Sequence, residues 1–186
     1  MDGPTINWIA DHLEMSDYRR AYEQGGCYFF TLVTCNRQPI LTESANLQRL
    51  KESFAHVAAK RPFATDAIVI LPDHLHCIWQ LPEGDADFSS RWRLIKGHFS
   101  VALDAPLTGR SEKQVWQRRF WEHLIRDEED WRRHVDYIHY NPAKHRYVPH
   151  PMDWVHSSFR LMVELGLYPP DWGCREPDNL KGMNLE

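Results

Sequence analysis

With 186 residues, 42% of them hydrophobic and 26% charged, the chain is long enough for one domain with a sizeable core, and its composition is ordinary for a soluble globular protein. No run reaches the length of a transmembrane helix, the first 20 residues lack the basic start and apolar stretch of a signal peptide, and a net charge of −4 argues against bulk attraction to nucleic acid. Cys27, Cys35, Cys77 and Cys174 show no metal-finger spacing; with Cys27 and Cys35 expected in one strand, reduced thiols in a cytoplasmic protein are the expectation.

The aromatic and β-branched run CYFFTLVTCN at 27–36 predicts a strand. Leu47, Leu50, Phe54 and Val57 recur at helical spacing. DAIVILP is a short apolar strand, the Pro72-Asp73 pair is turn chemistry, and a further strand starts at His74. A loop then ends in Ser89 or Ser90 as the expected cap of a helix with Trp92, Ile95, Phe99 and Ala102 on one face. QVWQRRF reads as a fourth strand with Gln114, Trp116, Arg118 and Phe120 sharing a face. A third helix begins at the cap Asp127, with Glu128, Glu129 and Asp130 at the positive end of its dipole. Trp131, Val135 and Ile138 form its apolar stripe, Tyr137 and Asn141 share a face off that stripe, and Pro142 is expected to stop it. Ordered coil with one short helix near 157–165 completes the chain. The fold class is therefore α+β: a ferredoxin-like β-α-β-β-α-β sandwich with an additional helix that carries Tyr137.

In the strand from His74, the residues Leu75, Cys77, Trp79 and Leu81 form a fully apolar face, so His74, His76, Ile78 and Gln80 must share the other. Helices on one sheet face would take the apolar side and leave both imidazoles on the open side. Two nitrogen donors on one rigid element are half of a divalent-metal site that oxygen ligands and a substrate would complete, suiting Mg²⁺ or Mn²⁺. They are equally well polar residues on an exposed sheet face. Tyr137 is a weak nucleophile near pH 7 and needs a cation, a base or a polarised target; a metal held by His74 and His76 would polarise a phosphate.

Charge is unevenly spread. Residues 91–146 hold 12 Lys and Arg against 8 Asp and Glu, and five of the 11 histidines, which allows a polyanion-binding face. Arg118, Arg119, Lys96 and Arg133, with Arg126, Arg132 and Lys144, are the candidate phosphate contacts, Arg118 and Arg119 first because they would lie on opposite strand faces.

The strand PDHLHCIWQLP, the segment WQRRFWEHLIRDEEDW, the helix end YIHYNP and the later DWVHSSFR occur in that order, and together they resemble the REP-associated tyrosine transposases, relatives of single-tyrosine transposases within the HUH endonuclease superfamily. The resemblance covers a single domain at 18–172 and leaves 1–17 and 173–186 as terminal extensions. It implies His74 and His76 as metal ligands, Asn141 as the third, and Tyr137 as nucleophile toward single-stranded hairpin DNA of repetitive extragenic palindromes, leaving a 5′-phosphotyrosine and a free 3′-OH. A monomer or a homodimer fits that implication. Two rivals remain at this point: a non-catalytic single-stranded nucleic-acid module stacking bases on Tyr28 or Phe30, and a metallohydrolase using metal-bound water with Tyr137 structural.

Overall fold

The computed structural model describes residues 24–107, 113–183 and 185; the expected N-terminal extension 1–17 lies outside the described residues. Alternation along β1 (Cys27–Val33) sends Phe30 and Leu32 to one side and Cys27, Phe29 and Thr31 to the other. Both sides are apolar enough to be covered, and both are. β1 is followed by α1 (Ser44–Ala58), β2 (Ala64–Ile70), β3 (His74–Gln80), α2 (Phe88–Ser100), β4 (Trp121–Leu124), α3 (Glu128–Lys144) and α4 (Phe159–Glu164). The strands assemble in the order β2-β3-β1-β4 with every pair antiparallel, the ferredoxin-like arrangement that the element order predicts.

The first face packs on α1 and α2. Leu75, Cys77 and Trp79 of β3 meet Leu50, Phe54 and Val57 of α1 and Trp92, Ile95 and Phe99 of α2. Trp79 and Trp92 stack at 4.0 Å and 16°. Each of these side chains contributes about 1.5–3 kcal/mol by leaving water, so this layer supplies the main driving force. Tyr28 and Phe30 belong to it, which removes them as base-stacking platforms.

The second face is not open. α3 lies across it, and Val135, Tyr137 and Ile138 close a second core with Phe29, Ala67, Val69, Ile78, Ile125 and Leu180. His74 and His76 are consequently 1% and 0% exposed. Tyr137, expected well off the apolar stripe, is part of it at 2% exposure. The C-terminal coil finishes the cover. Asn179 donates to Asp136 at 2.7 Å, Tyr168 also donates to Asp136, and Arg133 donates to the Asn179 carbonyl at 2.9 Å. Ser158 exchanges bonds with the backbone of Ile68, and Ser157 bridges Val69, so the outer strand β2 presents no bare edge there.

Five local expectations are corrected. Residues 114–120 form no strand; they touch β1 through one bridge, Thr34 with Trp116, and the strand is Trp121–Leu124. Val115 and Trp116 are buried because the segment tucks under α2, where Trp116 meets Phe99 at 5.2 Å, so its aromatic pattern reports packing rather than strand alternation. The cap of α2 is Asp87, whose carboxylate accepts from the Ser90 backbone at 3.0 Å, and Ala102 lies past the helix end. Pro142 sits inside α3 rather than ending it. It removes a single donor, whereas the 145 and 146 amides still reach carbonyls of 141 and 143; the turn ends where Arg146 takes a φ of 60°. Cys35 follows β1 in a short 3-10 turn, and all four cysteines are free. No described helix is long and apolar enough to cross a membrane.

Candidate active site

Each imidazole of β3 is oriented through Nδ1. His74 Nδ1 lies 2.6 Å from Asp73 Oδ1, and Asp73 is held in turn by Arg37 at 2.9 Å. Burial pushes the Asp73 carboxyl up, but the bonds and charges of His74 and Arg37 outweigh it and hold the group below the usual carboxylate range. An ionised Asp73 accepts, so His74 Nδ1 carries the proton. His76 Nδ1 lies 2.8 Å from Thr31 Oγ1. Thr31 spends its one proton on the Leu185 carbonyl at 3.0 Å, so its oxygen accepts from His76 as well. Both rings thus present a basic Nε2, and both Nε2 atoms are buried. A carboxylate or hydroxyl behind a histidine fixes tautomer and aim in this way at metal sites.

α3 crosses this pair. The Tyr137 ring lies 5.3 Å from His76, and the His145 ring 5.2 Å from His74. Asn141 is one turn from each along the same helix face, which sets it opposite the two histidines. It is 0% exposed, and neither its Oδ1 nor its Nδ2 makes a hydrogen bond to the described residues. A buried amide left so costs about 1–3 kcal/mol. A divalent cation accepting its oxygen would remove part of that cost, so the donor set of two imidazoles and one amide fits such an ion.

The Tyr137 hydroxyl accepts from Lys144 Nζ at 3.0 Å, with the ammonium also 4.7 Å from the ring centre, and from the Leu185 backbone at 3.2 Å. The ammonium favours negative charge on that oxygen. Leu185 covers it. Of the other tyrosines of this region, Tyr140 turns toward Trp172, and Tyr147 stacks on Trp154 and on His145.

A second histidine group lies one turn before the tyrosine. His123 Nε2 and Arg126 Nε reach Asp130 Oδ2 at 2.8 and 3.1 Å, and His134 Nδ1 lies 3.2 Å from Asp130 Oδ1. The three ligand-type atoms fall within 4.8 Å of one another. The Arg126 guanidinium already occupies the same carboxylate oxygen with a charge that opposes a cation, so the group works as a clasp between β4 and the first turn of α3. Burial pushes Asp130 up, yet the bonds from His123 and Arg126 outweigh it and bring it to about 2. Burial, chiefly, pushes His134 down.

Residues 25–140 match the family described as Transposase IS200 like. The chain is 49% identical over 171 residues to a REP-associated tyrosine transposase of Escherichia coli (strain K12), covering 92% of this chain and 99% of that one. The chain belongs to the REP-associated tyrosine transposases. It is therefore an enzyme of the transposase class. A solved REP-associated tyrosine transposase bound to a REP hairpin superposes with a TM-score of 0.73 at 46% identity, over 92% of this chain and 99% of that one.

Within this transposase the expected site residues fall into two groups. His74, His76, Tyr137 and Asn141 come together from β3 and α3. Among the candidate phosphate contacts, Lys96 stands beside Arg118, its Nζ 3.4 Å from the Arg118 carbonyl oxygen. Arg118 and Arg119 are exposed in the coil before β4 and do not occupy opposite faces of a strand. Lys96 donates to the Gln117 carbonyl at 2.7 Å, and Arg133 holds the C-terminal coil. Sequence reading missed Thr31 and Leu185, took Asp73 for turn chemistry, and gave Lys144 only a phosphate role. Asp73 did carry a signal, a carboxylate immediately before the first histidine.

Proposed function

We propose that this transposase cuts and rejoins single-stranded, hairpin-forming REP DNA, with Tyr137 as nucleophile and Mg²⁺ or Mn²⁺ held by His74, His76 and Asn141. The observation that carries the reading is the buried Asn141 amide without a hydrogen bond to the described residues, one turn from Tyr137 and from His145, whose rings lie beside His76 and His74. The solved relative with a REP hairpin supports the choice of DNA.

A cation at these donors would neutralise the non-bridging oxygens of a phosphodiester and fix its position, which is most of what phosphoryl transfer requires. Lys144 steadies charge on the phenol oxygen as its proton leaves. The Tyr137 Oη–P bond forms while the P–O3′ bond breaks; the departing 3′-oxygen gains a proton, and the 5′-phosphate remains on the tyrosine. Because the ester linkage is conserved, the 3′-OH of another strand can reverse the step and join. A phosphate reaching Oη takes the position now held by the Leu185 amide. Arg118 and Arg119, exposed in the coil before β4, serve as phosphate contacts.

The test is a denaturing gel of protein incubated with a REP hairpin oligonucleotide. Wild type with Mn²⁺ or Mg²⁺ gives a covalent adduct; EDTA, His74→Ala and His76→Ala abolish it. Tyr137→Phe binds the hairpin and gives none. An adduct formed by Tyr137→Phe, or free cleavage products from it at the wild-type rate, assigns the chemistry to another group and returns the metal-bound-water reading.

A further inference from the structure

A cavity of about 410 Å³ opens between the adjoining ends of β1 and β4, lined by Thr31, Gln117, Arg119, Phe120, Trp121 and Leu185 among others. That volume lies within the range of small-ligand pockets, about 300–1,000 Å³. The sheet register ties it to the candidate active site. Trp121 of β4 pairs with Thr31 of β1, and Thr31 pairs with His76 of β3. Residues directly opposite in a sheet share a face, so Trp121, Thr31 and His76 form one row, and Thr31 touches His76 through Oγ1. Two strand spacings, about 10 Å, separate the indole's strand from that of the metal-site histidine. This is the reach of one nucleotide from phosphate to base.

The indole is built as a platform. Trp121 is 43% exposed on an edge strand. Behind it the Phe29 ring makes an edge contact at 5.6 Å, and His123 lies parallel at 4° and 5.9 Å. His123 is itself stacked on His134 at 4.6 Å and clasped to Asp130. The ring is therefore braced from the protein side while its outer part meets solvent. The Arg119 guanidinium and the Gln117 amide, both exposed, stand at the same cavity. None of the described lining residues is a carboxylate. A flat apolar surface with one cation and one amide, and no anion, fits a nucleobase attached to a phosphate.

We propose that Trp121 stacks the unpaired base of a nucleotide flanking the scissile phosphate, with Arg119 contacting the adjoining phosphate and Gln117 the edge of the base. This assignment rests on the reading of Tyr137 and the histidines as the cleavage site, and it adds a determinant of where along the single strand the cut falls.

The experiment uses the full chain and REP hairpins carrying single-stranded flanks, in which each flank nucleotide is replaced in turn by an abasic residue. Binding is measured by fluorescence anisotropy in EDTA, and the cleavage position is read separately with Mn²⁺. For wild type, one abasic position next to the cleaved phosphate weakens binding about ten-fold, the scale of a single base–aromatic stack. Trp121→Ala loses a similar factor on intact DNA and nothing further at that position, and Trp121→Phe keeps most of the wild-type affinity. Wild-type binding that is indifferent to every flank base overturns the proposal without reference to any variant. So does a Trp121→Ala protein that remains as sensitive to the abasic position as wild type. Wild type that binds with this pattern yet forms no tyrosine adduct overturns the catalytic reading alone.

Discussion

At the residue scale, the site is assembled from groups that are poor for stability and suited to chemistry. Asn141 is the clearest case. Its amide is fully buried and unbonded among the described residues, and leucine has nearly the same shape. Exchanging an unsatisfied polar group for an apolar one removes a penalty of about 1–3 kcal/mol. In EDTA, Asn141→Leu is expected to melt several degrees above wild type while its metal-dependent cleavage falls. Calorimetry decides this: a lower melting temperature for Asn141→Leu in chelator means that the amide has a stabilising role and is no waiting ligand. Lys144 gives the complementary case. Its ammonium bonds the phenol oxygen, where the proposed attack on phosphate would develop charge. Lys144→Met should slow adduct formation about 10²-fold in single-turnover kinetics, the usual cost of one donor to a developing oxyanion, with hairpin affinity little changed. An equal adduct rate in Lys144→Met would remove the residue from the chemistry.

At the element scale, α3 decides how the site is built. Its start was legible: Asp127 accepts from the Asp130 amide at 2.9 Å, and three acidic residues follow at the positive end of the dipole. Its end was not. Proline inside a helix is a local rule, and here burial of both Asn141 and Pro142 against the sheet overrides it. That extra turn carries Lys144 two turns beyond Tyr137 and onto the same face, a contact that sequence reading could not place while Pro142 closed the helix. The histidine strand was legible for a different reason. Period-two alternation with one fully apolar face leaves one register only, and β3 adopts it. What alternation could not say was that the imidazole side would also be covered, since Phe29, Val69 and Ile78 read as strand residues without naming their partner. The clasp that docks α3 makes its own prediction. Asp130 falls from an ordinary value near 4 to about 2 in the folded chain. A depressed carboxylate contributes stability that is fully present above the unfolded value and is lost as pH falls through the folded one. Wild type should therefore lose urea midpoint between about pH 4 and about pH 2 more steeply than Asp130→Asn, which starts lower at neutral pH. Parallel curves for the two proteins across that interval would mean that the clasp contributes nothing.

At the scale of the whole molecule, α3 lies across the sheet with Tyr137 beside His76. The molecule must then bring a polyanion to that site while carrying a net charge of −4. Long-range attraction is weak, so affinity has to come from a few local cations and from base contacts, and not every basic residue is available. Lys96 and Arg133 donate to backbone carbonyls of Gln117 and Asn179, whereas Arg118 and Arg119 stand exposed in the coil before β4, Arg119 at the Trp121 cavity. The two groups separate in a salt titration. For single-stranded DNA the slope of log affinity against log salt is about −0.7 per phosphate neutralised. Three to five local contacts would give a slope between about −2 and −3.5, shallow for a DNA-binding protein. Arg118→Ala and Arg119→Ala should each flatten it by about 0.7, with melting temperature unchanged. Lys96→Ala and Arg133→Ala should leave the slope alone and lower the melting temperature, because what they lose are bonds to the coil before β4 and to the C-terminal coil. Base contacts do not release counterions, so the preference for hairpin over unstructured single strand should persist at high salt as total affinity falls. A steep slope that all four substitutions flatten equally would instead describe a diffuse basic surface, and with it a mode of binding that does not depend on the local geometry around Trp121 and His76.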